Sequence, residues 1–138
     1  MKLGNHEIKL YYSNWAVLKL TELCGGLEKI GTLFRTEDGE SIETAKAYSN
    51  VVKLVTILAN ANIIKENSWI ASGLEQGEKR DLYDEETMSN ILDMSKASEY
   101  IIECLNIMGA ASKFEMPDGM KFEDGDEDLE EILAEQNP

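Results

Sequence analysis

One histidine and two cysteines are the residues of this chain best suited to nucleophilic or metal chemistry. His6 lies in a predicted turn, while Cys24 and Cys104 lie within apolar helical patterns, eighty residues apart. A catalytic triad needs a histidine that a third group orients, and structural zinc sites bring their ligands in closely spaced pairs. Neither pattern is present, so we expect both cysteines to be buried as small apolar side chains in a reducing compartment.

The acidic residues near the C-terminus approximate a calcium-binding loop. In a twelve-residue loop starting at Asp124, acids fill positions one, three, five and twelve: Asp124, Asp126, Asp128 and Glu135. The sixth position is Leu129, where such a loop needs glycine for its sharp turn. The eighth position is Glu131 in place of an apolar residue, and no convincing helix leads into the loop. We therefore predict no metal site and interpret these acids as a solvated charge run.

No other pattern specifies catalysis. The 27 acidic residues form many carboxylate pairs by chance, and none stands alone within an apolar stretch. Gly25-Gly26 lacks the further glycines and the lysine of a phosphate-binding loop, and it fits the end of a helix instead. We expect no catalytic residue, no cofactor and no enzymatic activity.

The first twelve residues predict a small β-hairpin. Residues 7–12 alternate in polarity, with Ile8, Leu10 and Tyr12 on one face, which is typical of a half-buried strand. Gly4-Asn5 predicts a tight turn, which leaves only residues 1–3 as the partner strand. Such a short ribbon needs a helix to pack against.

Helical patterns begin directly after this hairpin. Ser13 or Asn14 is expected to cap a helix from Trp15 to Cys24, followed by one or two helical turns at residues 27–34. Ser41 is expected to begin a central helix that ends near Lys65, and its apolar residues surround most of its girth. A helix of this kind lies at the centre of a small domain.

The second half of the domain adds shorter helices. Residues 68–71 predict a short helical turn, and Asp84 is expected to cap a helix with acidic residues in its first turn. Residues 95–112 carry the clearest helical spacing, through Ala97, Tyr100, Ile101, Cys104, Leu105 and Met108. The predicted fold is therefore mainly α, a compact domain of four or five helices with an N-terminal β-hairpin.

Charge divides the chain into two parts. Residues 115–138 contain ten acids and one base, a net charge of −9 out of −14 for the whole chain. We predict a helical domain at residues 1–114 and an acidic, flexible C-terminal tail at residues 115–138. A pI near 4.4 disfavours binding to nucleic acid or to an anionic membrane surface, and we expect a cytoplasmic protein.

The features suited to a protein partner are apolar. Wide apolar helix faces suggest a groove lined by residues of the central and last helices: Val55, Leu58, Tyr100, Ile101 and Met108. Taken singly, each of the five fits a buried core better than a groove. A short docking segment is predicted where apolar residues interrupt the polar tail: Phe114, Met116, Met120 and Phe122.

In layout, the chain resembles the tail assembly chaperones of long-tailed bacteriophages and prophages. The resemblance covers roughly residues 1–112. It lies in a short opening hairpin at residues 3–10, a first helix at 11–20, a long apolar helix at 51–61, the segment 69–74, an Asp84-Glu85-Glu86 helix start and a charged C-terminal extension.

This resemblance implies a role in virion assembly. Such proteins hold the tape-measure protein soluble and help to recruit subunits of the major tail protein, which forms the tube. The narrow hairpin and the broad apolar helices also leave room for self-association in a ring or filament. The alternative function is an acidic adaptor or regulator without catalytic activity, which binds a basic protein and of which a DNA mimic is one form.

Overall fold

The computed structural model of the protein describes residues 1–36 and 38–109. The described part is mainly helical, as predicted, with one two-stranded hairpin. Its elements, in chain order, are β1 (Lys2–Leu3), β2 (His6–Glu7), α1 (Asn14–Cys24), a 3₁₀ helix (Leu27–Leu33), α2 (Thr44–Ala71), α3 (Glu85–Ile91), a short 3₁₀ helix (Met94–Lys96) and α4 (Ala97–Ile107). The predicted boundary between residues 114 and 115 lies outside the described residues.

The hairpin turns at Gly4-Asn5, as predicted. Gly4 has a φ of +64°, a left-handed conformation that glycine adopts without steric cost. β1 and β2 pair antiparallel, with Lys2 opposite Glu7. The N-terminal ammonium donates a hydrogen bond of 2.7 Å to the carbonyl oxygen of Ile8 and lies 3.7 Å from the Glu103 carboxylate of α4. These contacts attach the hairpin to the last helix.

The strand predicted over residues 7–12 is shorter than expected, but the side chains of this stretch alternate between covered and open as predicted. β2 ends at Glu7, because its partner strand contains only two residues. Beyond it the chain lies along α2, where the Tyr11 amide donates to the Leu58 carbonyl at 3.1 Å. Ile8 is buried and Tyr11 is exposed, so the alternation still distinguishes the covered face from the open one.

α1 begins and ends as its sequence predicts. The Ser13 hydroxyl accepts a hydrogen bond from the Ala16 amide at 3.2 Å, which satisfies one free amide of the first turn. Gly25 ends the helix with a φ of +86°, and its amide donates to the Thr21 carbonyl. Ala16 and Leu20 are its buried residues.

α2 is the central helix, but both of its predicted ends are wrong. It begins at Thr44 because Ser41 instead forms an isolated β-bridge with Arg35. It continues through residues 68–71 to Ala71, since no helix breaker precedes Gly73. The result is one helix of 28 residues instead of a helix and a separate turn.

The last two helices follow their predicted signals. The Asp84 carboxylate caps α3 by accepting from the Thr87 amide at 2.6 Å, and this hydrogen bond holds the pKa of Asp84 below its usual value. α4 buries one continuous face against α2, with Ile101 and Leu105 at its centre.

α2 is long and apolar enough to cross a membrane by length and composition alone. Its most apolar 18-residue window has a mean hydropathy of 1.2, and 67% of that window is buried inside the protein. The core helix of a globular domain passes the same test, so the match is weak evidence for a membrane span.

Two leucines provide a matched test of this core. Leu58 on α2 is fully buried, whereas Leu18 on α1 is 57% exposed. We expect Leu58→Ala to lower the free energy of unfolding by about 2–5 kcal/mol, because it leaves a cavity in the core. We expect Leu18→Ala to change it by less than about 0.5 kcal/mol. Urea denaturation followed by circular dichroism measures both, and equal losses would place the core elsewhere.

Candidate functional site

The predicted groove is the centre of the hydrophobic core. Val55, Leu58 and Ile101 are fully buried and Tyr100 is 2% exposed, while Met108 is half-buried. The apolar faces of α2 and α4 pack against each other and leave no open groove between them. A partner reaches these four buried residues only if the two helices separate. Phe114, Met116, Met120 and Phe122 lie outside the described residues.

The residues suited to chemistry lie apart from one another. Burial raises the pKa of the Cys104 thiol far above its usual value, with a smaller contribution from the Glu103 charge. Cys24 donates its thiol hydrogen to carbonyls of its own helix end, at 3.0 Å to Leu20 and 2.9 Å to Gly26. Within residues 1–36 and 38–109, no three histidine, cysteine or acidic side chains cluster as metal ligands would.

The exposed apolar residues concentrate at the C-terminal end of α2. Seven large apolar side chains are exposed in the described part of the chain, and four belong to this end or to segments attached to it. We call this region the α2-end surface and define it by four residues: Tyr11, Lys65, Trp69 and Leu74. Leu74 is its most open member, at 78% exposure.

A lysine between two aromatic rings organises the α2-end surface. The Lys65 ammonium nitrogen lies 4.2 Å from the centre of the Tyr11 ring and 5.0 Å from that of Trp69. Lys65 and Trp69 are four residues apart on α2, which places them on the same helix face. Tyr11 reaches them because its amide is bonded to α2 at Leu58. Both rings remain about 40% exposed, so the cluster is ordered and still accessible.

Residues 73–83 follow α2 and form neither helix nor strand, and we call this segment the strap. The Asn67 amide group donates to the Arg80 carbonyl and accepts from the Arg80 amide, both at 2.9 Å. Asn60 holds Tyr83 in the same way, at 2.9 and 2.8 Å. Each asparagine therefore pairs with the backbone of the strap as a neighbouring strand would.

We call these two asparagine–backbone pairs the clamps. Their spacing along α2 matches the spacing of their partners along the strap. Asn60 and Asn67 are seven residues apart, which is about 10.5 Å along an α-helix. Arg80 and Tyr83 are three residues apart, which is about 10 Å of extended chain. The strap therefore runs antiparallel to α2 with matched attachment points at both ends of the clamped stretch.

An ion pair adds a third attachment. The Arg80 guanidinium donates to the Glu66 carboxylate at 2.7 Å. Desolvation pushes the pKa of Glu66 upward, but hydrogen bonds from Arg80 and Asn62 and the charges of Arg80 and Lys9 outweigh it, so this pKa lies below its usual value. Glu66 is therefore ionised at neutral pH and unsuited to donate a proton.

A small depression lies between the strap, α2 and the segment after β2. Its volume is about 240 Å³, and its lining residues are Glu7, Ile8, Lys9, Ala59, Asn62, Ile63, Glu66, Arg80 and Tyr83. This volume is below the range of about 300–1,000 Å³ that is usual for small-molecule sites. No histidine or cysteine is among the lining residues.

The sequence contains an indication of the clamps, although the apolar spacing of α2 does not reveal it. Asn60 and Asn62 interrupt the apolar run of α2, and both are buried. A buried amide needs hydrogen-bond partners, so asparagines inside an apolar helix indicate that an irregular segment packs there. The sequence does not indicate which segment it is, since the partners are backbone groups.

Comparisons of the chain with protein-family models, with curated proteins and with solved structures give no match.

The Asn60 clamp gives a testable prediction. Asn60→Asp replaces the amide donor by a carboxylate oxygen that faces the Tyr83 carbonyl, so we expect a loss of about 1–3 kcal/mol in unfolding free energy. Hydrogen exchange at the Tyr83 amide should become faster. Asn90→Asp on the exposed side of α3 is the matched control and should leave both quantities nearly unchanged. Normal Tyr83 protection in the Asn60 variant would contradict the clamp.

The Glu66–Arg80 pair predicts a pH dependence. The pKa of Glu66 is lowered in the folded state, so its contribution is complete above the ordinary glutamate pKa of about 4.3 and is lost as the pH falls through the folded value. We expect hydrogen-exchange protection of the strap to fall on acidification in the native protein and to change less in Glu66→Gln. Hydrogen-exchange protection of the Val55 amide, in the core of α2, serves as the reference because it reports global unfolding. Parallel loss at both places in both proteins would contradict a local effect.

Proposed function

We propose that this protein is a tail assembly chaperone of a long-tailed bacteriophage or prophage. It acts in the cytoplasm of the host, where it holds the tape-measure protein soluble and helps to recruit subunits of the major tail protein. The observation that carries the proposal is the α2-end surface, an exposed cation–aromatic cluster on a small helical domain. The resemblance in layout to this group of chaperones supplies the identity of the partners.

The chemistry of the α2-end surface suits an amphipathic helix. A tape-measure protein is very long and rich in helix, so it exposes apolar stripes before the tail tube encloses it. Tyr11 and Trp69 offer large, rigid apolar area at low entropic cost, and aromatic residues of this kind dominate binding energy at protein interfaces. Leu74 adds open apolar area at the same helix end, where its amide donates to the Trp69 carbonyl.

The strap and the cluster favour protein recognition over small-molecule turnover. The depression beside the strap is small, and its principal charges, Glu66 and Arg80, already pair with each other. The aromatic rings, in contrast, keep a large part of their area open. A partner side chain fits the depression while a partner helix covers the rings.

The acidic segment supports the same role through its charge. Residues 115–138 carry −9, against −5 for the 114 residues before them. Net charge far from zero keeps a complex soluble and opposes nonspecific association. A chaperone that covers apolar stripes benefits from such a segment, because the complex stays dispersed while assembly proceeds.

The same charge favours a second candidate function, an acidic adaptor that binds a basic protein. Its affinity would come from charge, so it would weaken steeply as salt screens the interaction. Binding of an apolar helix at the α2-end surface depends much less on salt. Salt dependence therefore distinguishes the two functions.

Co-expression tests the proposed function. The tape-measure protein is taken as the product of the very long reading frame beside this gene, and its soluble yield is measured with and without this protein. We expect the native protein to keep it soluble, and Trp69→Ala or Tyr11→Ala to lower the soluble yield at least about tenfold, the effect of about 1.4 kcal/mol of lost binding energy.

Leu18→Ala is the control, because Leu18 is exposed but lies on α1, outside the α2-end surface. It should act like the native protein. Two outcomes would contradict the proposal: no effect of this protein on the solubility of the tape-measure protein, or equal effects of the Leu18 and Trp69 substitutions. Capture of a basic host protein that high salt abolishes would favour the adaptor.

A further inference from the structure

We propose that the α2-end surface also binds the acidic C-terminal segment of the same chain, residues 115–138. The segment then covers the exposed rings until a partner displaces it. This inference rests on the geometry of the Lys65 cluster and on the distribution of charge. It holds or fails independently of the proposed chaperone function.

The surface offers an ordered cation that keeps its hydrogen-bond donors. The Tyr11 and Trp69 rings hold the Lys65 ammonium through their faces, 4.2 and 5.0 Å from its nitrogen, and neither ring accepts a hydrogen bond as a carboxylate does. Within the described parts of the chain, Lys65 forms no ion pair with an acid. A carboxylate that approaches Lys65 therefore meets a positioned charge beside apolar area.

Two further cations lie close to this cluster. Lys9 is two residues before Tyr11 and, with Arg80, lines the depression next to Lys65. The depression is lined by as many acids as cations, Glu7 and Glu66 with Lys9 and Arg80, and Glu66 already pairs with Arg80. The strap adds more acids than bases, so an acidic segment is attracted by the positioned charges of Lys65 and Lys9 and not by a local excess of positive charge.

The segment has the complementary composition. It contains ten carboxylates, with Met116, Met120 and Phe122 placed among the first of them. The acids suit Lys65 and Lys9, and the apolar residues suit the open faces of Tyr11 and Trp69. The contact with Lys65 and Lys9 does not require one particular carboxylate, because carboxylates occur throughout the segment.

The segment is long enough to reach the surface. Gly109 is the last described residue, and thirteen residues of chain from there to Phe122 span up to about 45 Å. α4 passes close to the start of the chain, since Glu103 lies 3.7 Å from the N-terminal ammonium, which bonds to the Ile8 carbonyl. Ile8 is three residues before Tyr11, a separation of about 10 Å, so the rings are within this reach. A tether of this kind gives an effective concentration of order 1 mM, which allows even a weak contact to be populated.

Zero-length cross-linking of the full-length native protein tests the proposal. A carbodiimide joins lysine amines to carboxylates in contact, and mass spectrometry identifies the pairs. We expect Lys65 and Lys9 to link to acids of residues 115–135 about tenfold more than Lys46 does, after correction for the reactivity of each amine. Lys46 is the internal control, since it lies on the same helix about 28 Å from Lys65. The preference should fall in 1 M salt, where the Debye length is about 3 Å.

A variant with both rings removed, Tyr11→Ala with Trp69→Ala, should reduce the Lys65 yield to that of Lys46 while circular dichroism shows an unchanged fold. A Leu18→Ala protein should keep the preference. Equal yields at all three lysines in the native protein would overturn the proposal. So would links found only between isotopically light and heavy copies in a mixed sample, which would assign the contact to a second molecule.

Discussion

The structure depends on one kind of interaction, the hydrogen bonds between asparagine side chains of α2 and backbone groups of segments outside the α-helices. Asn50 donates to the Leu33 carbonyl at 2.6 Å, and Asn60 and Asn67 each pair with both backbone groups of a strap residue. Backbone polar groups that are buried must find partners. The asparagine side chains of α2 thus supply hydrogen-bond donors and acceptors to these backbone groups, while its apolar side chains form the core.

The elements were predictable wherever a local signal defines them. Ser13 and Asp84 cap their helices as their residue types predict, and the spacing of α4 identifies its buried face. The ends of α2 were not predictable in this way. Ser41 is a good cap by type but pairs with Arg35 in a β-bridge instead, and neither residue carries a sequence pattern that predicts this pairing.

The burial of the predicted groove residues has a related reason. A wide apolar helix face has the same sequence pattern whether it covers the core or awaits a partner. Val55 and Ile101 therefore satisfied both interpretations, and packing assigns them to the core. The α2-end surface has no periodic signature, because its members come from the segment after β2, from α2 and from the strap. Only the course of the strap and of residues 8–12 along α2 brings them together.

The α2-end surface and the strap are attached to the same stretch of helix. Lys65, Glu66 and Asn67 are consecutive residues: the first holds the aromatic cluster, and the other two hold Arg80. Trp69, half a turn later, accepts the Leu74 amide through its carbonyl at the start of the strap. At about 100° per residue, Asn67 lies about 200° around the helix from Lys65, so α2 holds the strap on nearly the opposite side from the aromatic cluster. One stretch of helix therefore serves two separate purposes, since its amide and carboxylate side chains fix the strap while its lysine and tryptophan keep the rings open to a partner.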